Sequence, residues 1–191
     1  MESGPESGKA AKGTNIVKLA SFGDSSINIL ISAYLLTNVY TEFLQMQNDL
    51  NLNIMDIMQA DGVDFAMIRL GYRGYESGQL NLDERFHEYA QGAVDAGLEI
   101  GVYFYSQAIN ASEAEEEARF VLNELSDYKI TYPVVFDWEI VGDDTARTNS
   151  VSSEELNECA SVFCNTIARG GYIPMIYSVK RMALLKYDLS R

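Results

Sequence analysis

Residues 132–144 read YPVVFDWEIVGDD: a β-branched and aromatic run carries two carboxylates, Asp137 and Glu139, and then breaks at Gly142, Asp143 and Asp144. In an extended chain residues i and i+2 share a face. Asp137 and Glu139 therefore project together, and Trp138 points the other way. An ionised carboxylate is costly to bury unless it is paired or solvated. The segment is thus either a strand end reaching water or a working acid pair. Two carboxylates held close do not both ionise readily, so one of them keeps its proton to higher pH. A protonated acid beside an ionised one is what glycosidic cleavage requires: one protonates the leaving oxygen and the other stabilises positive charge at the sugar carbon. The competing use is a divalent cation held by Asp137, Glu139 and Asp143. Without histidine such a set suits Mg²⁺ or Ca²⁺ better than zinc.

Four further residues stand at expected strand ends or along strand faces: Arg69, Tyr103, Tyr105 and Tyr177. Phenol rings and hydroxyls suit stacking on, and hydrogen bonding to, a sugar chain, and these four are the candidate substrate-binding residues. Equally, in a chain with 12 tyrosines they suit the core or its rim, and Arg69 suits a structural ion pair with the acids. His87 is the single histidine, so neither a zinc site nor a Ser-His-Asp triad has the companions it needs. Its place is a helix surface. Cys159 and Cys164, five apart in a helical pattern, point in different directions and do not pair with each other.

The 191 residues suit one domain, or one domain plus a tail, and 47% hydrophobic content is enough for a core. A formal charge of -14 argues against nucleic acid, whose binders need a basic stripe. Glu113, Glu115, Glu116 and Glu117 crowd one expected helix and read as solvated acidity. Residues 1–13, rich in Gly, Ser, Glu and Lys, read as a disordered leader. Residues 14–59 form an N-terminal segment of uncertain structure. Its stretch INILISAYLLTNVY (27–40) reads as a strand or a buried helix, and its apolar part is too short to cross a bilayer, so no membrane partner is expected.

From residue 60 the pattern is regular. Strands are expected at 63–72, 98–106, 132–140 and 172–178, and helices at 81–97, 112–128 (starting at Ser112) and 153–169. Ser152 and Glu155 form a capping box, and Gly170-Gly171 stops the last of these helices. A short helix follows the last strand. Strand and helix alternating in this way is the signature of a parallel sheet, with chemistry at the C-terminal strand ends.

The segments GVDFAMIRLGYRGY, AGLEIGVYFYSQAINASEAEEEA, YPVVFDWEI and GGYIPMIYS, in that order and spacing, resemble the glycoside hydrolase family 25 lysozymes, the Chalaropsis-type muramidases. The resemblance covers residues 60–191. It implies an α/β fold, an irregular TIM-like (β/α) barrel with parallel strands, and a groove for peptidoglycan. The activity implied is hydrolysis of the β-1,4 bond between N-acetylmuramic acid and N-acetylglucosamine, with no cofactor or metal. By the family's D-x-E motif, Glu139 corresponds to the general acid and Asp137 to its partner. The chain's action is then expected to be secreted or at the cell wall.

Three departures accompany the resemblance. The family opens with a strand ending in an Asp-Val-Ser type motif. Here VYTEF (39–43) lies near that place without the Asp, and Asp24 is the other candidate, far upstream. KYDLSR ends the sequence before the family's last strand, so the barrel is expected to be incomplete at both ends. Phe104 stands where many relatives carry His. The alternative function is a cell-wall glycan-binding module with impaired catalysis.

Overall fold

The computed structural model describes residues 16–22, 27–32, 39–60 and 62–188. Contacts divide the chain into two compact units, Met1–Ile54 and Met55–Arg191. In the first, β1 (Ile16–Phe22) and β2 (Ile27–Ser32) pair antiparallel with an irregularity between Leu19 and Ser21. The stretch 27–32, read as strand or helix, is thus a strand. The helix α1 (Tyr40–Ala60) opens with Glu42 in its first turn, where a negative charge meets the positive end of the helix dipole. Tyr40–Phe43 are therefore helical rather than the end of an opening strand. Residues 1–13 and Asp24 lie outside the described residues.

The second unit holds a five-stranded sheet in the order β4-β3-β5-β6-β7. The strands are β3 (Phe65–Arg73), β4 (Leu80–Leu82), β5 (Glu99–Ser106), β6 (Val134–Trp138) and β7 (Pro174–Tyr177). β3, β5, β6 and β7 are parallel neighbours, and β4 folds back antiparallel on β3. Helices α2 (Phe86–Asp95), α3 (Ala111–Glu124) and α4 (Ser153–Arg169) connect them, and the short α5 (Lys180–Leu185) follows β7.

β-branched and aromatic residues fill the strands because a pleated, helix-covered surface rewards them. One face alternates Val102 and Phe104 with Val134, Phe136 and Trp138, all buried in one core with Phe163 of α4. The other face carries the polar and aromatic residues of the strand ends. Helices thus line a single face of a parallel sheet, as in the wall of a β/α barrel. Among the described residues this wall is open, with β4 and β7 as its edges.

Several boundaries differ from expectation for local reasons. Residues 81 and 82, read as the start of a helix, belong to β4 (Leu80–Leu82), because Gly71 lets the chain return against β3. A Cβ at Gly71 would collide with the Asn81 carbonyl oxygen and come within 3.3 Å of the Phe104 ring. α3 begins after Asn110, whose side chain accepts from the Glu113 N–H at 3.0 Å, and not at Ser112. The Ser152–Glu155 capping box and the 153–169 helix are as expected, with Gly170 at the C-cap. Cys159 and Cys164 are both free. His87 lies on α2, with Nδ1 3.0 Å from the Tyr128 hydroxyl.

The acidic run on α3 is not uniformly solvated. Glu117 is fully buried, because it falls on the stripe of Ala114, Ala118 and Val121 that faces the sheet. Arg73, also buried, gives its Nε to Glu117 at 2.8 Å and its Nη2 to Glu116 at 2.7 Å. The same guanidinium donates to the carbonyls of Gly78 and Glu113. Ser106, at the end of β5, donates to the other Glu117 oxygen at 2.6 Å. This cluster ties β3, β5 and α3 together. Breaking a buried pair strands an uncompensated charge, so Arg73→Met is expected to cost about 3–5 kcal/mol in urea unfolding. A loss near that of an exposed ion pair, below about 1 kcal/mol, would show that the pair is not buried in solution.

Candidate active site

The register of the parallel strands assembles the site. Asp137 of β6 lies opposite Tyr105 on one side and Tyr177 on the other. Arg69 lies opposite Tyr103, which shares a face with Tyr105. The five residues Arg69, Tyr103, Tyr105, Asp137 and Tyr177 therefore occupy the sheet face away from the helices. Trp138 turns under the sheet, where its indole N–H donates to the Ala108 carbonyl at 3.0 Å. Glu139 follows directly after β6, and its charge acts on Tyr103, Tyr105 and Asp137. All six residues singled out in the sequence thus belong to one region at the C-terminal strand ends.

The two acids sit differently. Asp137 is half-buried, and its Oδ1 is buried without a hydrogen-bond partner among the described residues. Burial, reinforced by the Glu139 charge, pushes the Asp137 carboxyl up to about 7. The fold thus biases Asp137 toward holding a proton. Glu139 instead lines a cleft of about 460 Å³ with Trp138, Ile140, Met182, Arg181 and Lys186. Burial is also the main reason the Tyr103 and Tyr105 phenols sit above their ordinary range, with Asp137 and Glu139 adding to it. Both remain neutral hydrogen-bonding groups at physiological pH.

Arg69 does not neutralise the acid pair. Its guanidinium binds Asp83, with Nη2 at 2.6 Å and Nε at 2.7 Å. The hydrogen bond to Asp83 raises the arginine's pKa. Asp143 is likewise engaged elsewhere: it accepts from the Thr145 N–H at 2.8 Å and hydroxyl at 2.7 Å. Among the described residues no three His, Cys, Asp or Glu gather as a possible metal site, so Asp137, Glu139 and Asp143 do not form one. Phe104 is buried on the helix side, edge-on to Phe120, and does not face the acids.

Tyr72 was not legible as part of this region. Its ring lies 5.9 Å below the Arg69 guanidinium carbon and opposite Tyr105 in register. Counting by twos from Arg69 puts residue 72 on the other face, but a bulge between Arg69 and Gly71 inserts one residue and brings both to the same side. The pair Tyr-Arg around Gly71 is the only sequence cue, and it does not announce a bulge.

Comparison with known proteins places this geometry in a class. Residues 43–188 match the profile of Glycosyl hydrolases family 25, and the chain belongs to that family. Its structure is similar to that of the modular autolysin LytC from Streptococcus pneumoniae, solved in complex with a synthetic peptidoglycan ligand. The TM-score is 0.58 at 22% identity, over 71% of this chain and 31% of LytC. The spore cortex lytic enzyme SleM from Clostridium perfringens gives the same TM-score and identity over 68% of this chain and 41% of SleM. The chain thus spans well under half the length of these proteins. Residues 15–65 match a second profile, Mechanosensitive ion channel MscS, C-terminal. An uncharacterized MscS family protein of Aquifex aeolicus is 48% identical over 50 residues, which are 26% of this chain and 14% of that protein. The two matches overlap at residues 43–65. Among the described residues no helix is long and apolar enough to cross a membrane.

The raised Asp137 has a consequence for stability. A carboxyl whose pKa is higher in the folded than in the unfolded chain binds more protons when folded, so stability falls as pH climbs between the two values. The protein is therefore expected to lose stability as pH rises from about 4 to 7. Asp137→Asn should flatten part of that slope and raise the urea midpoint at pH 7. An Asp137→Asn slope identical to wild type would mean that Asp137 titrates normally.

Proposed function

We propose that this chain hydrolyses the β-1,4 glycosidic bond between N-acetylmuramic acid and N-acetylglucosamine in peptidoglycan. The observation that carries the reading is the Asp137–Glu139 pair at the C-terminal end of β6, in a family 25 glycosyl hydrolase. One member lines the cleft and the other is raised to about 7 by burial and by its neighbour. Peptidoglycan is supported as the substrate by the ligand bound to LytC.

In this reading Asp137 holds the pair's proton below about pH 7. Glu139 delivers it to the leaving sugar oxygen. Asp137 keeps the proton within the pair and, once ionised, stabilises positive charge developing at the anomeric carbon or on a cyclic intermediate formed by the substrate's N-acetyl group. Tyr103, Tyr105 and Tyr177 offer rings and hydroxyls to the glycan. Arg69, fixed by Asp83, borders the same face. The action requires exposure to the cell wall and uses no metal or cofactor.

A second reading is a wall-glycan-binding module with impaired catalysis. It is favoured by the channel-like match of residues 15–65, which occupies the place where the family's opening strand and its carboxylate are expected. Purified peptidoglycan separates the two: an enzyme releases reducing ends, whereas a module pellets with the wall and releases none.

Glu139→Gln preserves volume but cannot deliver a proton. Its rate of reducing-end release is expected to fall by about 10²- to 10⁴-fold, with folding retained. Wild-type activity should decline as pH rises through about 7, where Asp137 loses its proton. Full activity in Glu139→Gln would remove Glu139 from the chemistry, and release insensitive to a chelator would set aside a metal-dependent route.

A further inference from the structure

β6 ends at Trp138, and Glu139 stands on the exit from the sheet. Downstream the chain has little to hold it: Ile140 is exposed, and Gly142 takes a positive φ of 74°. Among the described residues, the side chain that grips the backbone of 139–142 is Gln107. Its Nε2 donates to the Glu139 carbonyl at 3.0 Å and to the Ser106 carbonyl at 2.9 Å. Its Oε1 accepts from the Thr148 hydroxyl at 3.0 Å.

Both amide hydrogens and the amide oxygen of Gln107 are thus used, and the residue is fully buried. Flipping the amide would set its oxygen against two carbonyl oxygens, so its orientation is fixed. The Gln107 backbone is held as well. Its N–H donates to buried Glu117, and its carbonyl accepts from Arg147 at 3.2 Å. Arg147 is itself bound to Glu113 by two short contacts, 2.6 and 2.7 Å. One residue further on, the Ala108 carbonyl receives the Trp138 indole N–H. Residues 106–108 therefore clasp residues 138–139, and the clasp is anchored on the Arg73–Glu117 cluster.

We propose that Gln107 is the positioning residue of Glu139. By pinning the Glu139 carbonyl it sets the direction of the Cα–Cβ bond, and so keeps the carboxyl within electrostatic reach of Asp137. Thr148 orients Gln107 for this task. The proposal rests on the reading of Glu139 as proton donor, but the clasp has readouts of its own.

The test uses the full chain with Gln107→Met, Thr148→Val and Thr148→Ser, assayed on purified peptidoglycan across pH, alongside hydrogen exchange of residues 139–142. Gln107→Met keeps bulk without hydrogen bonds. Its kcat is expected to fall by about 10²-fold, the scale of a misplacement near 1 Å, with KM close to wild type. Its upper pH limb should move to lower pH, because Asp137 no longer feels the Glu139 charge at the same range. Thr148→Val should show a smaller fall in kcat, and Thr148→Ser should restore it, so the proposal remains testable if Gln107→Met does not fold. Wild-type kcat and pH limb in Gln107→Met, or in Thr148→Val where only that variant folds, would overturn the assignment. Where wild type itself releases no reducing ends, the hydrolase reading fails and exchange decides the clasp. Faster exchange at 139–142 in the variants supports it, and unchanged exchange overturns it.

Discussion

The constraint on which the site depends is the burial of Arg73 and Glu117 beneath the sheet. Two opposite charges out of water are tolerable only when nearly every donor and lone pair finds a partner. Arg73 meets Glu117, Glu116 and the carbonyls of Gly78 and Glu113, while Glu117 also accepts from Ser106 and the Gln107 N–H. These demands fix where β3 ends, where β5 ends and how α3 lies across them. From that fixed point Ser106, Gln107 and Ala108 reach β6, and the position of Glu139 follows.

The upper face of the same sheet obeys a different rule. Beneath it, alternate residues fill a helix-covered core; above it, register lines up Tyr105, Asp137 and Tyr177 across three strands. Asp137 sits between an apolar interior and open solvent, with one oxygen buried and a second carboxyl beside it. A single strand thus uses one face for packing and the other for Asp137, with Glu139 just past its end. That division explains why Trp138, between the two carboxylates in sequence, packs in the core and gives its indole N–H to the Ala108 carbonyl.

Much of this was legible in the residues themselves. The strand–helix alternation after residue 60 and the Ser152–Glu155 cap each follow from local periodicity, and local periodicity is what a sequence displays. What escaped depends on contacts distant along the chain. Leu80–Leu82 is a strand because Gly71 admits it. Tyr72 joins Arg69 through a bulge that no spacing rule signals. Glu117 looked like one more surface acid, although its i, i+3 and i+4 relation to Ala114, Ala118 and Val121 was the available cue that it faces the core. Gln107 had no cue, since its role comes from Glu139 and Thr148, more than thirty residues away. The partner expected for Arg69 was the acid pair, but Asp83, delivered by the turn after β4, takes it.

The most direct measurement of the central claim, that burial and the Glu139 charge together raise Asp137, is a carboxyl ¹³C NMR titration of the two side chains in the intact chain, repeated with Glu139→Gln. The Asp137 signal is expected to titrate near 7 in wild type and at lower pH once the Glu139 charge is removed, while remaining above an ordinary aspartate because burial persists. An Asp137 that titrates at its ordinary value in both proteins would contradict the claim.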